Sequence, residues 1–242
     1  LYGPGYACNE FLYPLTFVGV ALFFLVFALP AFFWLKEPTN HVRMSWTSGF
    51  SRVRKTLREI RKHKTIAWFL VGFYFLNDAL VTLFAFIGIY AREVIGFAFS
   101  EIAVLLIVVQ LVGFPSTFFF GWLSDKVGSR RILLASVVGW MIVVLLLVLA
   151  ESKLVFYCAA ALTGLVIGSS QSVARSWLAR MVPKDRMCEF FGFNGFASKV
   201  SAASGPLVFG LDSFLAGSQR LAMLALLPFF AISLVIFSRI PE

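Results

Sequence analysis

This chain repeatedly offers apolar runs long enough to cross a lipid bilayer. A hydrocarbon core of ~30 Å takes about 20 helical residues to cross. Without water to satisfy backbone N–H and C=O groups, only a helix or a closed barrel can span it. The runs extend roughly from Phe11 to Leu35, Ile66 to Ala91, Ile102 to Leu123, Ile132 to Ala150, Leu154 to Ala174, Phe190 to Leu211, and Leu221 to Phe237. The sixth is the most dilute, because Gly192, Asn194, Gly195, Ser198, Lys199, Ser201 and Ser204 interrupt it. The pattern predicts an all-α membrane protein of about seven transmembrane helices.

Composition agrees. With 60% hydrophobic and 14% charged residues and a mean hydropathy of +0.89, the chain is too apolar for a single domain in water. The net charge of +9 does not indicate nucleic acid, because the cations fall in short clusters between apolar runs. Cys8, Cys158 and Cys188 are odd in number and lack metal-ligand spacing. They suggest neither a disulfide framework nor a metal site and read as apolar packing residues. No cofactor is expected.

Orientation follows from the positive-inside rule. Of the 21 Lys and Arg, all but Arg92, Lys153, Arg220 and the intramembrane Lys199 fall in one set of alternate loops. That set is expected in the cytoplasm, with the chain's N-terminus outside and its C-terminus inside. The segment from Lys36 to Thr65 is too polar to span. Within it Phe50, Val53, Leu57 and Ile60 recur at helical spacing among Arg52, Arg54, Lys55, Arg58, Arg61 and Lys62. An amphipathic helix on the inner leaflet would bury that stripe and hold its cations near anionic headgroups; a solvated linker helix is the compatible alternative. His41 and His63 lie in this connector and read as solvated.

Between the third and fourth runs stands Gly121-Trp122-Leu123-Ser124-Asp125-Lys126-Val127-Gly128-Ser129-Arg130-Arg131. Gly121 and Gly128 permit close helix approach and a tight turn. Asp125 can face a helix N-terminus or an Arg across the loop, and Lys126, Arg130 and Arg131 anchor the loop inside. The stretch resembles the cytoplasmic loop signature of the major facilitator superfamily, although Ser129 stands where that family often has Arg. The resemblance implies two successive six-helix halves, with this loop between the second and third helices of a half. The expected organisation is residues 1–35 as the last helix of an N-terminal half, 36–65 as the basic connector, and 66–242 as the C-terminal six-helix bundle. A start at Leu1 rather than Met fits a fragment whose N-terminal half is missing.

Further resemblance covers nearly the whole chain. Phe73-Tyr74-Phe75-Leu76-Asn77-Asp78-Ala79, Gly168-Ser169-Ser170-Gln171-Ser172-Val173-Ala174-Arg175-Ser176, and Glu189-Phe190-Phe191-Gly192-Phe193 leading to Lys199 and Gly205-Pro206 look like the vacuole effluxer family of autophagy-related transporters and its bacterial relatives. Ala79 departs from the Gly expected there. The resemblance implies secondary transport of a small solute, with amino-acid efflux from the vacuole the association of eukaryotic members. It points to a bacterial inner membrane or a vacuolar membrane.

Ionisable groups at mid-membrane cost about 2.5–3.5 kcal/mol on insertion scales, so each calls for a partner, a wet cavity or a function. Asp78 and Lys199 lie at comparable depth in the second and sixth runs. They are candidates for a central cavity and for pairing with each other, with Asp78 a proton or cation site and Lys199 its electrostatic partner or a carboxylate anchor. A purely structural ion pair is the alternative. Gln171 and Arg175 share a helical face and can line an inner vestibule, or Arg175 can snorkel to headgroups. Asn77 and Gln110 either bind solute or bond a neighbouring helix. Ala160, Gly164, Gly168 and Ser172 form a smooth packing stripe, and Pro14, Pro30, Pro115 and Pro206 are candidate kinks.

The leading function is therefore a small-solute secondary transporter working by alternating access, with proton coupling a candidate and with the solute and the lipid bilayer as its partners. A seven-helix receptor shares the topology but does not account for the Gly121–Arg131 signature or the long basic connector. A membrane-embedded enzyme is disfavoured, because no His/Asp/Glu cluster, Ser-His arrangement or Cys pair occurs at membrane depth.

Overall fold

The computed structural model describes residues 12–34, 63–216 and 219–241. The chain divides into two units, residues 1–49 and 50–242. The first contains α1 (Leu12–Trp34), an unbroken apolar helix through Pro30. Its side chains, such as Phe17 and Phe32, are exposed. The amphipathic stripe from Phe50 to Ile60 lies outside the described residues, as do His41 and Cys8.

The second unit contains α2 (Lys64–Val94), α3 (Phe99–Val127), α4 (Ser129–Leu149), α5 (Lys153–Met181), a 3-10 turn (Lys184–Arg186), α6 (Met187–Ala216), α7 (Gln219–Leu224) and α8 (Leu226–Arg239). Six helices among the described residues are long and apolar enough to cross a membrane, with α7 and α8 together forming one of them. At 30 residues α6 has ample length, about 45 Å at 1.5 Å per residue. Its Ser, Gly, Asn and Lys residues keep it below the hydropathy of the others, in keeping with the dilution of the sixth run.

Two local features were not foreseen. The helices are continuous through Pro115 and Pro206, and an interruption falls between α7 and α8 at Ala225. Pro228 supplies the reason: it lacks the N–H that would bond the carbonyl of Leu224, the last residue of α7. The described cysteines Cys158 and Cys188 are exposed rather than packed inside the bundle.

Lipid tails are as apolar as Leu, so the bundle is held by close packing and interhelical hydrogen bonds. At one end Phe69, fully buried, meets Trp177 edge-on at 5.4 Å and Phe237 at 5.6 Å, joining α2, α5 and α8. At the other, Tyr90 stacks on Phe156 at 6.3 Å and donates its hydroxyl to the Leu147 carbonyl at 3.0 Å. Between α3 and α5 the backbones nearly touch. A Cβ at Gly113 would lie 3.3 Å from the Gly164 carbonyl oxygen, and one at Gly168 would meet the Gly113 carbonyl oxygen at 2.9 Å. The stripe Ala160, Gly164, Gly168 is thus the α3 contact, sealed by Ser116 Oγ donating to the Gly164 carbonyl at 3.1 Å.

The packing has a twofold pattern. Helix α3 packs on α5 and α6 on α2; α4 packs on α5 and α8 on α2; α4 and α8 pack on each other. Exchanging the set α2, α3, α4 for α5, α6, α8 maps α3–α5 onto α6–α2, α4–α5 onto α8–α2, and α4–α8 onto itself. Three crossings separate corresponding helices, so the two triplets are related with inverted direction.

Candidate functional site

The polar residues of the membrane-depth helices gather in two neighbouring places. The first is the α2–α6 contact. Asn77 is buried and donates through Nδ2 to Ser201 Oγ at 2.7 Å and to the Ser198 carbonyl at 3.2 Å. One residue on, Asp78 is 2% exposed and accepts from Ser204 Oγ at 2.8 Å, with the Gly205 backbone as a second partner. Ser204 has one proton, and giving it to the carboxylate makes Tyr74 Oη the donor in the 2.8 Å contact between those hydroxyls. The result is a directed chain from Tyr74 through Ser204 to Asp78. Gly205 makes this approach possible: a Cβ there would stand 2.9 Å from the Asp78 carbonyl oxygen and would collide with Thr82 Oγ1.

The spacing of Ser198, Ser201 and Gly205 puts them on one face of α6, turned toward α2. Lys199 falls on another face. It is exposed and has no ion pair with Asp78. The expectation of an Asp78–Lys199 pair is not met. Equal depth fixes height along the bundle axis, but 100° per residue separates Lys199 from the serines that hold Asp78. Nor does Asp78 line the cleft described next; it is enclosed between helices.

The second place is an open cleft of about 760 Å³ between α2, α3 and α5. Asn77, Gln110, Gln171 and Arg175 all line it, together with Ser172 and Thr117. Four polar residues singled out from three separate helices thus converge on one cavity. The close α3–α5 contact at Gly113 and Gly168 forms part of its wall, so the small residues bring Gln110 and Gln171 to the same space. Three amide side chains and one guanidinium offer several donors and acceptors at moderate depth. They suit a small polar or anionic solute better than a cation, because Arg175 is the formal charge among them. Thr117, whose hydroxyl is tied to the Gly113 carbonyl at 2.8 Å, was not signalled by the sequence, since a lone Thr in an apolar run satisfies itself on its own helix.

The loop after α3 forms a separate cluster. Asp125 Oδ1 pairs with Arg180 Nη2 at 2.5 Å, joining the C-terminal ends of α3 and α5. Of the two partners foreseen for Asp125, an Arg is therefore found, and it is supplied by α5. Lys126 Nζ sits 3.8 Å over the Trp122 ring, a cation–π contact. Arg130 donates to the Ser238 carbonyl, tying α4 to the end of α8; Arg131 is exposed. Gly128 has φ +100°, a backbone conformation that suits glycine, and forms the turn. Gly121 does not serve close packing within this unit, since nothing lies within 4 Å of a Cβ placed there. Ser129 is buried with its hydroxyl 3.0 Å from Ser124 Oγ, so this position closes the turn through a neutral contact.

Among the described residues no group of three His, Cys, Asp or Glu is placed to hold a metal ion.

The family model described as "Vacuole effluxer Atg22 like" matches residues 4–242. An uncharacterized MFS-type transporter, YxiO, of Bacillus subtilis is 30% identical over 207 residues, covering 86% of this chain and 47% of that protein. Autophagy-related protein 22 of Yarrowia lipolytica is 24% identical over 239 residues, covering 81% of this chain and 39% of that protein. A second MFS-type transporter of Bacillus subtilis, YqjV, is 26% identical over 144 residues, 59% of this chain and 35% of that protein. The chain spans less than half the length of each of these relatives.

Proposed function

This chain belongs to the vacuole effluxer Atg22 like family, and from that membership we propose that it forms half of the solute pathway of a secondary transporter of the major facilitator type. The observation that carries the reading is the convergence of Asn77, Gln110, Gln171 and Arg175 on one cleft between α2, α3 and α5. The inverted pairing of two helix triplets supports it, because each six-helix half of such transporters is built from nested three-helix inverted repeats with the solute site near mid-membrane.

In this reading residues 66–242 are the C-terminal bundle, residues 36–65 the central connector and residues 1–35 the last helix of the preceding half. A second bundle of the same protein closes over the cleft, and alternating access comes from rocking of the two. The solute is small and polar, with amino acids the leading class, and its polar groups are met by the three amides and Arg175. Asp78 is the proposed proton or cation site, held beside the pathway by Ser204. Lys199 contributes as a charge on the face of α6 that a second bundle would cover. The Asp125–Arg180 and Arg130–Ser238 contacts lie on the cytoplasmic side and fasten the helix ends as the bundle moves. The lysine and arginine distribution supports an outside N-terminus and a cytoplasmic C-terminus, in a bacterial inner membrane or a vacuolar membrane.

The test is uptake and efflux of a radiolabelled amino-acid panel by the complete gene product in sealed vesicles, with and without a pH gradient. Transport that falls when Gln110 and Gln171 are replaced by Ala supports the reading. A wild-type protein that moves no solute under either gradient, or whose transport is indifferent to both substitutions, overturns it.

A further inference from the structure

Above the polar cleft lies a second, apolar chamber of about 360 Å³, also walled by α2, α3 and α5. Its α2 lining runs from Phe84 to Arg92, whereas that of the polar cleft runs from Asn77 to Phe84. On α3 the boundary falls between Val109 and Gln110, and on α5 between Thr163 and Ile167. The two chambers are therefore stacked along the bundle axis between the same three helices. Phe84 alone lines both of them among the described residues.

The ring of Phe84 is firmly backed. It meets Trp140 edge-on, with centroids 6.0 Å apart and planes at 83°. Trp140 is fully buried, stacks on Phe230 at 6.2 Å and donates Nε1 to Ser170 Oγ at 3.2 Å. A large side chain held this way has few places to go, because its support is pinned by α8 on one side and α5 on the other. Below Phe84 the cavity offers amides and a guanidinium; beyond it the lining is almost wholly carbon until Arg92. An apolar ring standing between two such spaces adds a barrier to water and hydrated groups moving from one to the other.

We propose that Phe84 is a specificity-determining residue of the pathway: it partitions the cleft and restricts the polar chamber to solutes short enough to fit below its ring. The inference rests on the transport reading for its meaning, but the partition itself is testable without any known solute. Removal of the ring joins the chambers into one amphipathic groove, polar near Arg175 and apolar toward Arg92, which then accepts longer solutes with an apolar tail.

The experiment uses the complete gene product with its native cysteines replaced by Ser and a reporter cysteine at Leu105, which lines the apolar chamber. A membrane-impermeant trimethylammonium methanethiosulfonate is applied from the face that carries the Lys184–Arg186 turn. With Phe84 present, labelling at position 105 from that face is slow. Phe84→Ala is expected to raise the rate about tenfold or more and Phe84→Leu by less, while Phe84→Trp stays slow. A reporter at Thr117, in the polar chamber, is expected to label alike in every background and shows that each variant is folded. Equal rates at position 105 for Phe84, Leu and Ala, or fast labelling with Phe84 intact, overturn the partition. Phe84→Leu decides the question if Phe84→Ala does not fold. Absence of solute transport by wild-type vesicles would overturn the functional reading and leave these labelling outcomes unaffected.

Discussion

Asn77 lines the solute-sized cleft and, through the same side chain, holds Ser201 of the opposite helix at 2.7 Å. A residue with both roles links the shape of the cavity to the position of α6. The two roles can be separated by mutating the partner. Ser201→Ala removes the hydroxyl but leaves every cleft-lining residue in place. It is expected to lower stability by about 0.6–2 kcal/mol, the range for one interhelical hydrogen bond in a membrane, with solute affinity retained. Asn77→Ala is expected to lose both stability and affinity. Thermal melting in nanodiscs and equilibrium binding to the same samples distinguish the two.

The chain from Tyr74 through Ser204 to Asp78 predicts unequal effects of two neutral replacements. Asp78→Asn retains an acceptor oxygen for Ser204 and should fold normally. Asp78→Leu removes the acceptor across the helix contact and puts a larger apolar group against Gly205, while Ser204 keeps the Val200 carbonyl as an acceptor; it should destabilise by roughly 1–3 kcal/mol. Lys199→Ala should leave stability within about 0.5 kcal/mol of wild type, as for a surface position away from special contacts. Denaturation of the purified variants in one detergent compares all three. A large loss for Lys199→Ala would restore the ion pair.

Gly205 is limited by space. Its Cβ would meet the Asp78 carbonyl oxygen at 2.9 Å, while a Cβ at Gly210 of the same helix meets nothing within 4 Å. Gly205→Ala is expected to push α6 from α2 and cost about 1–3 kcal/mol, as overpacking does. Gly210→Ala is expected to be neutral or slightly stabilising, because Ala exceeds Gly in helix propensity by up to about 1 kcal/mol. Melting temperatures of the two variants should move in different directions.

The Asp125–Arg180 pair is exposed on both sides, so its worth to stability is at most about 1 kcal/mol. If it fastens helix ends during the transport cycle, its loss should appear in rate instead. Asp125→Arg and Arg180→Asp should each slow uptake with little change in melting temperature, and the double exchange should recover part of the rate. Failure of the double variant to recover, with both singles slow, would assign the two residues separate roles.

The sequence revealed height better than direction. Runs of about 20 apolar residues located most helix ends to within four positions, because the bilayer thickness sets their length, although the fifth and sixth runs stop seven and five residues short of the ends of α5 and α6. Asn77, Gln110, Gln171 and Arg175 were also visible, since each stands out in an apolar run, whereas Thr117 was not. Their azimuth around the helix was harder to read. Asp78 and Lys199 share a depth and carry opposite charges, yet Asp78 is satisfied by Ser204, one of the residues that dilute the sixth run, and by the Gly205 backbone. Serine leaves no hydropathy signal that separates a helix contact from a loop. The break at Ala225 follows from Pro228, whose missing N–H acts four residues upstream, so the proline lies beyond the interruption it causes. Phe84 was not distinguishable from other core aromatics, because its position depends on where three helices leave space.

The interchange of the two helix triplets has a geometric corollary. An axis lying in the membrane plane swaps the inner and outer ends of every helix and leaves only the central level unmoved. Gly113 against Gly164, and Gly205 against Asp78, are counterpart crossings under that operation. At each of them an added Cβ would press on the backbone of the facing helix, so the two helix pairs reach their limit of approach at corresponding places.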